Sequence, residues 1–114
     1  MIAVVLLAGA LGAVVRFAAA HWLHSPWSVL VVNVSGSFIA GLAAGLATGD
    51  LRVVLLTGFC GGLTTFSTLS VETVQFALEG KWKVATASIS ANVVLGIGAA
   101  ALGLGLSALL GTFA

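Results

Sequence analysis

Residues 53–72 read VVLLTGFCGGLTTFSTLSVE, and this stretch decides the fold. No charge falls between Arg52 and Glu72, so it is an apolar run of membrane-crossing length. Roughly 20 residues are needed to cross about 30 Å of hydrocarbon. Its middle is unlike a plain apolar helix. Gly58, Gly61 and Gly62 are followed by Thr64, Thr65, Ser67 and Thr68, and glycine and β-branched residues both weaken helices. The pattern predicts a helix broken around Gly61 to Thr65 at mid-membrane depth. Backbone groups freed there are tolerable only where protein shelters them or a wet cavity receives them. A kink that serves packing alone is the plainer alternative.

Outward from this segment the whole chain reads as membrane. Of its 114 residues, 61% are hydrophobic and 6% charged, and its mean hydropathy is +1.26. A soluble domain carries about 25% charged residues, so lipid must be the solvent here. Charges and Pro26 divide the chain into four spans, at about 2–22, 28–48, 53–77 and 84–110. The loops between them are short: Leu23 to Trp27, Gly49 to Arg52 and Leu78 to Lys83. Trp22, Trp27 and Trp82 fall at the expected lipid–water boundaries, where an indole is most stable. Four strands cannot close a barrel, and an open sheet would leave unpaired backbone groups in lipid. The expectation is an all-α integral membrane protein, one four-helix domain with a break in the third helix.

Ala18, Ala19 and Ala20 resemble a signal-cleavage site. No basic region precedes the apolar run and Arg16 lies late, so the segment reads as the first span. The single cysteine, Cys60, reads as a small packing residue, and no basic cluster suggests nucleic acid. Lys81, Lys83 and Arg16 stand toward one side and Arg52 toward the other. That bias is too small to fix one orientation. Gly41, Gly45 and Gly49 form G-x-x-x-G steps in the second span, and Ala8–Gly12 and Ala99–Gly103 are similar steps. Small residues at this spacing let helices approach closely, within one chain or between copies.

Polar groups inside spans point to function, because hydrocarbon gives them no partners. Asn33 offers an amide, Ser67 and Thr68 offer hydroxyls, and the ring edge of Phe66 carries the positive part of its quadrupole. Such donors can replace the water shell of a small anion without a fixed charge to trap it. Carbonyls freed at a break can instead hold a cation such as Na⁺. The residues alone therefore indicate a small polar solute or anion.

At this point the chain resembles a known family, the Fluc/CrcB fluoride channels. GALGAVVRF (9–17), VLVVNVSGSFIAG (29–41) and TGFCGGLTTFSTLSVE (57–72) are similar to the family's first-, second- and third-span motifs, in that order. The resemblance covers nearly the whole chain. It implies a fluoride-selective channel that lets fluoride leave the cytoplasm, multi-pass in the bacterial plasma (inner) membrane. It further implies an antiparallel dual-topology dimer with two pathways. Gly61 and Thr64 would give backbone carbonyls to a structural Na⁺ at the dimer centre. Asn33 would be a pore amide and Phe66 a pathway ring, with hydroxyls from Ser67 and Thr68 and with Glu72 near a pore mouth. Arg16 would attract anions or anchor the first span. By spacing rather than by the resemblance, Ser88 and Asn92 in the fourth span lie one helical turn apart and form a polar track on one face, or Asn92 simply ties two helices together.

One departure matters. Leu69 would stand on the fluoride pathway where the family usually has a second phenylalanine, which leaves both a homodimer and a heterodimer with a related subunit open. Two rival functions make different demands on the sequence. A small multidrug antiporter needs a carboxylate deep in the first span, and that span carries only Arg16. A structural subunit of a larger membrane complex explains the size but not the polar break. No nucleophile–base pair, carboxylate pair or metal cluster suggests an enzyme. His21 and His24 lack further ligands nearby and read as interfacial residues.

Overall fold

The structure, a computed structural model, describes residues 1–24, 27–64 and 66–113, apart from the side chains of Thr112 and Phe113. Pro26, expected to divide the first two spans, and Thr65, the expected end of the break, lie outside the described residues. Helix α1 runs from Ile2 to Trp22 and α2 from Trp27 to Leu46. The third span is composite: α3 (Gly49–Val53), a π-helical stretch (Val54–Cys60), α4 (Gly61–Leu63) and α5 (Phe66–Leu78). Helix α6 covers Trp82–Phe113. Four helical segments are long and apolar enough to cross a membrane, and no strand occurs among the described residues.

Backbone contact between helices replaces a conventional core. A Cβ on Gly62 would run into the Gly9 carbonyl, and one on Gly12 would lie 2.7 Å from the Leu63 amide nitrogen. These contacts seat α1 on the first half of the third span. A Cβ on Gly41 would strike the Ala100 carbonyl, one on Gly103 the Phe38 carbonyl, and one on Gly45 Ser107. These seat α2 on α6. The buried hydrophobic residues are small or medium: Val29, Val32, Ala43, Cys60, Leu63 and Ala85 among them. Large ones such as Leu6, Leu7, Phe17 and Leu102 face outward, as lipid permits. Between helices in lipid, close approach and dispersion take over the role that burial from water plays in soluble proteins.

Gly41 and Gly45 are thus engaged within the chain, so of the two possible uses of their spacing the internal one holds. Gly49 departs from the expected pattern. It lies beyond the end of α2 at φ 59° and opens α3, so the expected loop from Gly49 to Arg52 is helical. Gly80, at φ 79°, closes α5 with a Schellman cap: its N–H donates to the Ala77 carbonyl, and that of Lys81 donates to the Phe76 carbonyl.

The break is present and narrower than expected. Gly61–Leu63 remains helical, and the chain turns extended at Thr64, with ψ 154°. What the sequence did not announce is the π-helical stretch before it, in which the Gly61 N–H reaches back to the Leu56 carbonyl. The molecule measures 50 × 31 × 20 Å. Since a helix with side chains is about 10–12 Å across, the thin dimension holds only two, and every helix reaches the surface.

Candidate functional site

The expected site residues fall into three neighbourhoods. The first is the break. Thr64 donates both its N–H and its Oγ1–H to the Cys60 carbonyl, each at 2.9 Å, which ties the extended residue to the preceding turn. A Cβ on Gly36 would collide with the Thr64 methyl, so α2 passes directly against the break three residues after Asn33. Gly61 is exposed beside it. Its carbonyl and that of Thr64 belong to a segment whose helical ladder stops, and this is the donor type that fits a monovalent cation.

The second neighbourhood is the restart of the span. Phe66 is 83% exposed, and Ser67 and Thr68 are also on the surface. An aromatic ring and two hydroxyls at this depth would face lipid if the chain stood alone. Leu69 is buried, at 9% exposure, and so packs inside its own chain. Lower on the same helix Glu72 enters an open cleft of about 240 Å³ that it shares with Arg16, Phe17, Ser28, Val32 and Thr68. Glu72 Oε2 is buried without a hydrogen-bond partner, and no ion pair joins it to Arg16 within 4.0 Å. Arg16 and Glu72 therefore line one cleft without a direct ion pair between them. The sequence reading passed over Ser28 here. Ser28 is buried, at 6% exposure, and a serine near a span end carries no sign of that burial in the sequence.

The third neighbourhood is the seam between α2 and α6. Asn33 Nδ2 donates to Asn92 Oδ1 at 2.9 Å, and Asn92 Nδ2 donates to the Ser88 carbonyl at 2.8 Å. Ser88 Oγ is buried and has no hydrogen-bond partner. The structure thus joins Asn33 to the Ser88–Asn92 face, a pairing the sequence did not specify. It likewise joins Arg16, Thr68 and Glu72 around one cleft.

Four apolar spans, the third interrupted at the extended Thr64 with hydroxyls beside it, define a polytopic membrane protein that holds polar groups within its spans. Comparison with known proteins agrees. Residues 3–104 match the family model described as "CrcB-like protein, Camphor Resistance (CrcB)". The fluoride-specific ion channel FluC of Renibacterium salmoninarum is 42% identical, with 90% of this chain and 94% of that protein covered. The protein of the same name from Magnetococcus marinus is also 42% identical, with the same coverage, 90% and 94%. That of Bordetella petrii is 38% identical over 88% of this chain and 85% of its own length. The chain belongs to the CrcB family and is a multi-pass bacterial membrane protein.

Proposed function

We propose that the chain is a fluoride-specific ion channel, a conduit and not an enzyme, which lets fluoride out across the bacterial inner membrane. The observation that carries this reading is the outward-facing Phe66–Ser67–Thr68 stretch beside the break at Thr64. Hydroxyls and a ring edge are donors suited to a small, strongly hydrated anion, and they hold it without a fixed charge. A chain only 20 Å thick has no interior to spare for a pore, and surface donors at bilayer depth call for cover. A second, inverted copy supplies it, giving an antiparallel dimer surrounded by lipid with two pathways.

In that dimer Asn33 lies on the path with Phe66, Ser67 and Thr68, and the Ser88–Asn92 face of α6 flanks it. Arg16 draws anions into the cleft whose mouth Glu72 marks. Gly61 and Thr64 would hold a structural Na⁺ through their backbone carbonyls, and the bound ion would supply positive charge where the two breaks meet.

Leu69, in place of the family's second phenylalanine, leaves open a second version, in which this chain pairs with a related but unlike subunit. The test is efflux from liposomes holding the purified chain alone, read with fluoride- and chloride-selective electrodes. Fluoride is expected to leave much faster than chloride. Equal rates remove the selectivity, and silence for both ions leaves only the unlike-subunit version.

A further inference from the structure

Two lysines flank the start of α6, and only one of them has a counter-charge. Lys81 pairs with Glu79 at 3.5 Å. Lys83, in the first turn of α6, has no carboxylate within 4.0 Å among the described residues, and that turn contains no acid. A lysine there adds to the positive end of the helix macrodipole, so both attract an anion to the same place. Trp82 beside it is 66% exposed at a span end, the level of lipid headgroups.

Below these residues the surface between α5 and α6 is hollow. An open groove of about 450 Å³ lies between Val74, Ala77 and Leu78 on α5 and Trp82, Ala85 and Ile89 on α6. From Trp82 to Ile89 it descends about 10 Å along the helix axis, at roughly 1.5 Å per residue, from headgroup level into hydrocarbon. Its lining is apolar. Even Thr73 commits its hydroxyl to the Leu69 carbonyl, at 2.7 Å, and leaves its methyl group for the groove. At Trp82 and Thr86 the groove meets a shallow recess of about 440 Å³, which Lys83 also lines. An apolar trough therefore opens, at its headgroup end, on an ammonium without an ion pair.

We propose that this is a binding site for one anionic phospholipid, with an acyl chain in the α5–α6 groove and the phosphate on Lys83. Every lipid-facing surface touches lipid, and what selects here is the coupling of a charge to a groove. An ammonium binds phosphate as a point charge. In a zwitterionic lipid the headgroup's own cation competes for that phosphate, whereas an anionic headgroup leaves it to the lysine. Basic recesses between membrane helices recognise anionic headgroups in this way. The site is independent of what the chain conducts.

The test is quenching of tryptophan fluorescence by lipids brominated on their acyl chains. Trp22→Phe with Trp27→Phe leaves Trp82 as the one indole. That chain is reconstituted in phosphatidylcholine vesicles holding brominated phosphatidylglycerol or, at the same mole fraction, brominated phosphatidylcholine. Association at Trp82 should be roughly fivefold stronger for phosphatidylglycerol. Lys83→Gln should remove that preference, while Lys81→Gln, whose charge Glu79 already engages, should keep most of it. Ala77→Leu fills the groove and should weaken quenching by both lipids. Equal quenching by the two lipids overturns the proposal, as does a preference that survives Lys83→Gln. Weak quenching by both in the unfilled groove, the result expected if a second copy covers it, overturns it too. If the single-tryptophan chain does not fold, the wild-type chain and Lys83→Gln are compared by native mass spectrometry in detergent with phosphatidylglycerol. The variant should then retain less lipid, and equal retention overturns the proposal.

Discussion

The two halves of the third span are made for different neighbours. From Val54 to Leu63 the chain presents glycine to α1, and Gly58, Cys60 and Leu63 are buried. From Phe66 onward it presents a ring and hydroxyls to the outside, with Leu69 the buried residue of its helix. The extended residue Thr64 lies between the two. The difference shows how a four-helix membrane protein can carry polar groups without melting. Its first half is clamped by backbone-to-backbone contact, so its second half is free to spend donors on something other than its own fold.

The comparison breaks most readily at the clamp. Gly62→Leu would drive a side chain into the Gly9 carbonyl, a rigid backbone atom. The expected loss is at least about 3 kcal/mol, since neither helix can shift without losing its other contacts. Thermal unfolding in detergent should show a collapse in melting temperature or no monodisperse protein. A Gly62→Leu chain as stable as wild type would mean that α1 is not seated here.

A smaller effect sharpens the boundary itself. Thr64→Val keeps the shape but removes the hydroxyl that bonds the Cys60 carbonyl. The backbone N–H still serves that carbonyl, so the expected loss is about 1 kcal/mol in the same measurement. A loss as large as that for Gly62→Leu would show that the side chain, and not the glycine clamp, holds the break.

Much of this was legible in the sequence because the relevant signals are local. Charges at Arg16, Asp50, Arg52 and Lys81 to Lys83 bound the apolar runs, and glycines followed by threonines mark the break. What escaped the sequence depends on partners far along the chain. The π-helical stretch of Val54–Cys60 lies where α1 presses on Gly58. Asn33 and Asn92, 59 residues apart, were each recognisable as polar residues needing a partner, but not as partners of one another. Gly49–Val53 is a helix that looks like a loop in the sequence, because short polar segments look alike until φ at Gly49 is known. The inward turn of Leu69 is likewise tertiary, since the same helix shows Phe66 to the outside three residues earlier.

Whether the outward half of the span is the ion path is tested most directly by removing its hydroxyls at nearly constant shape. The double variant Ser67→Ala with Thr68→Val, reconstituted in liposomes, should unfold within about 1 kcal/mol of wild type, because both residues are on the surface. Fluoride efflux should fall by roughly a hundredfold or more, the loss of two hydrogen bonds to the ion at about 1.5 kcal/mol each. Efflux unchanged in a folded double variant would contradict the assignment of this face to fluoride.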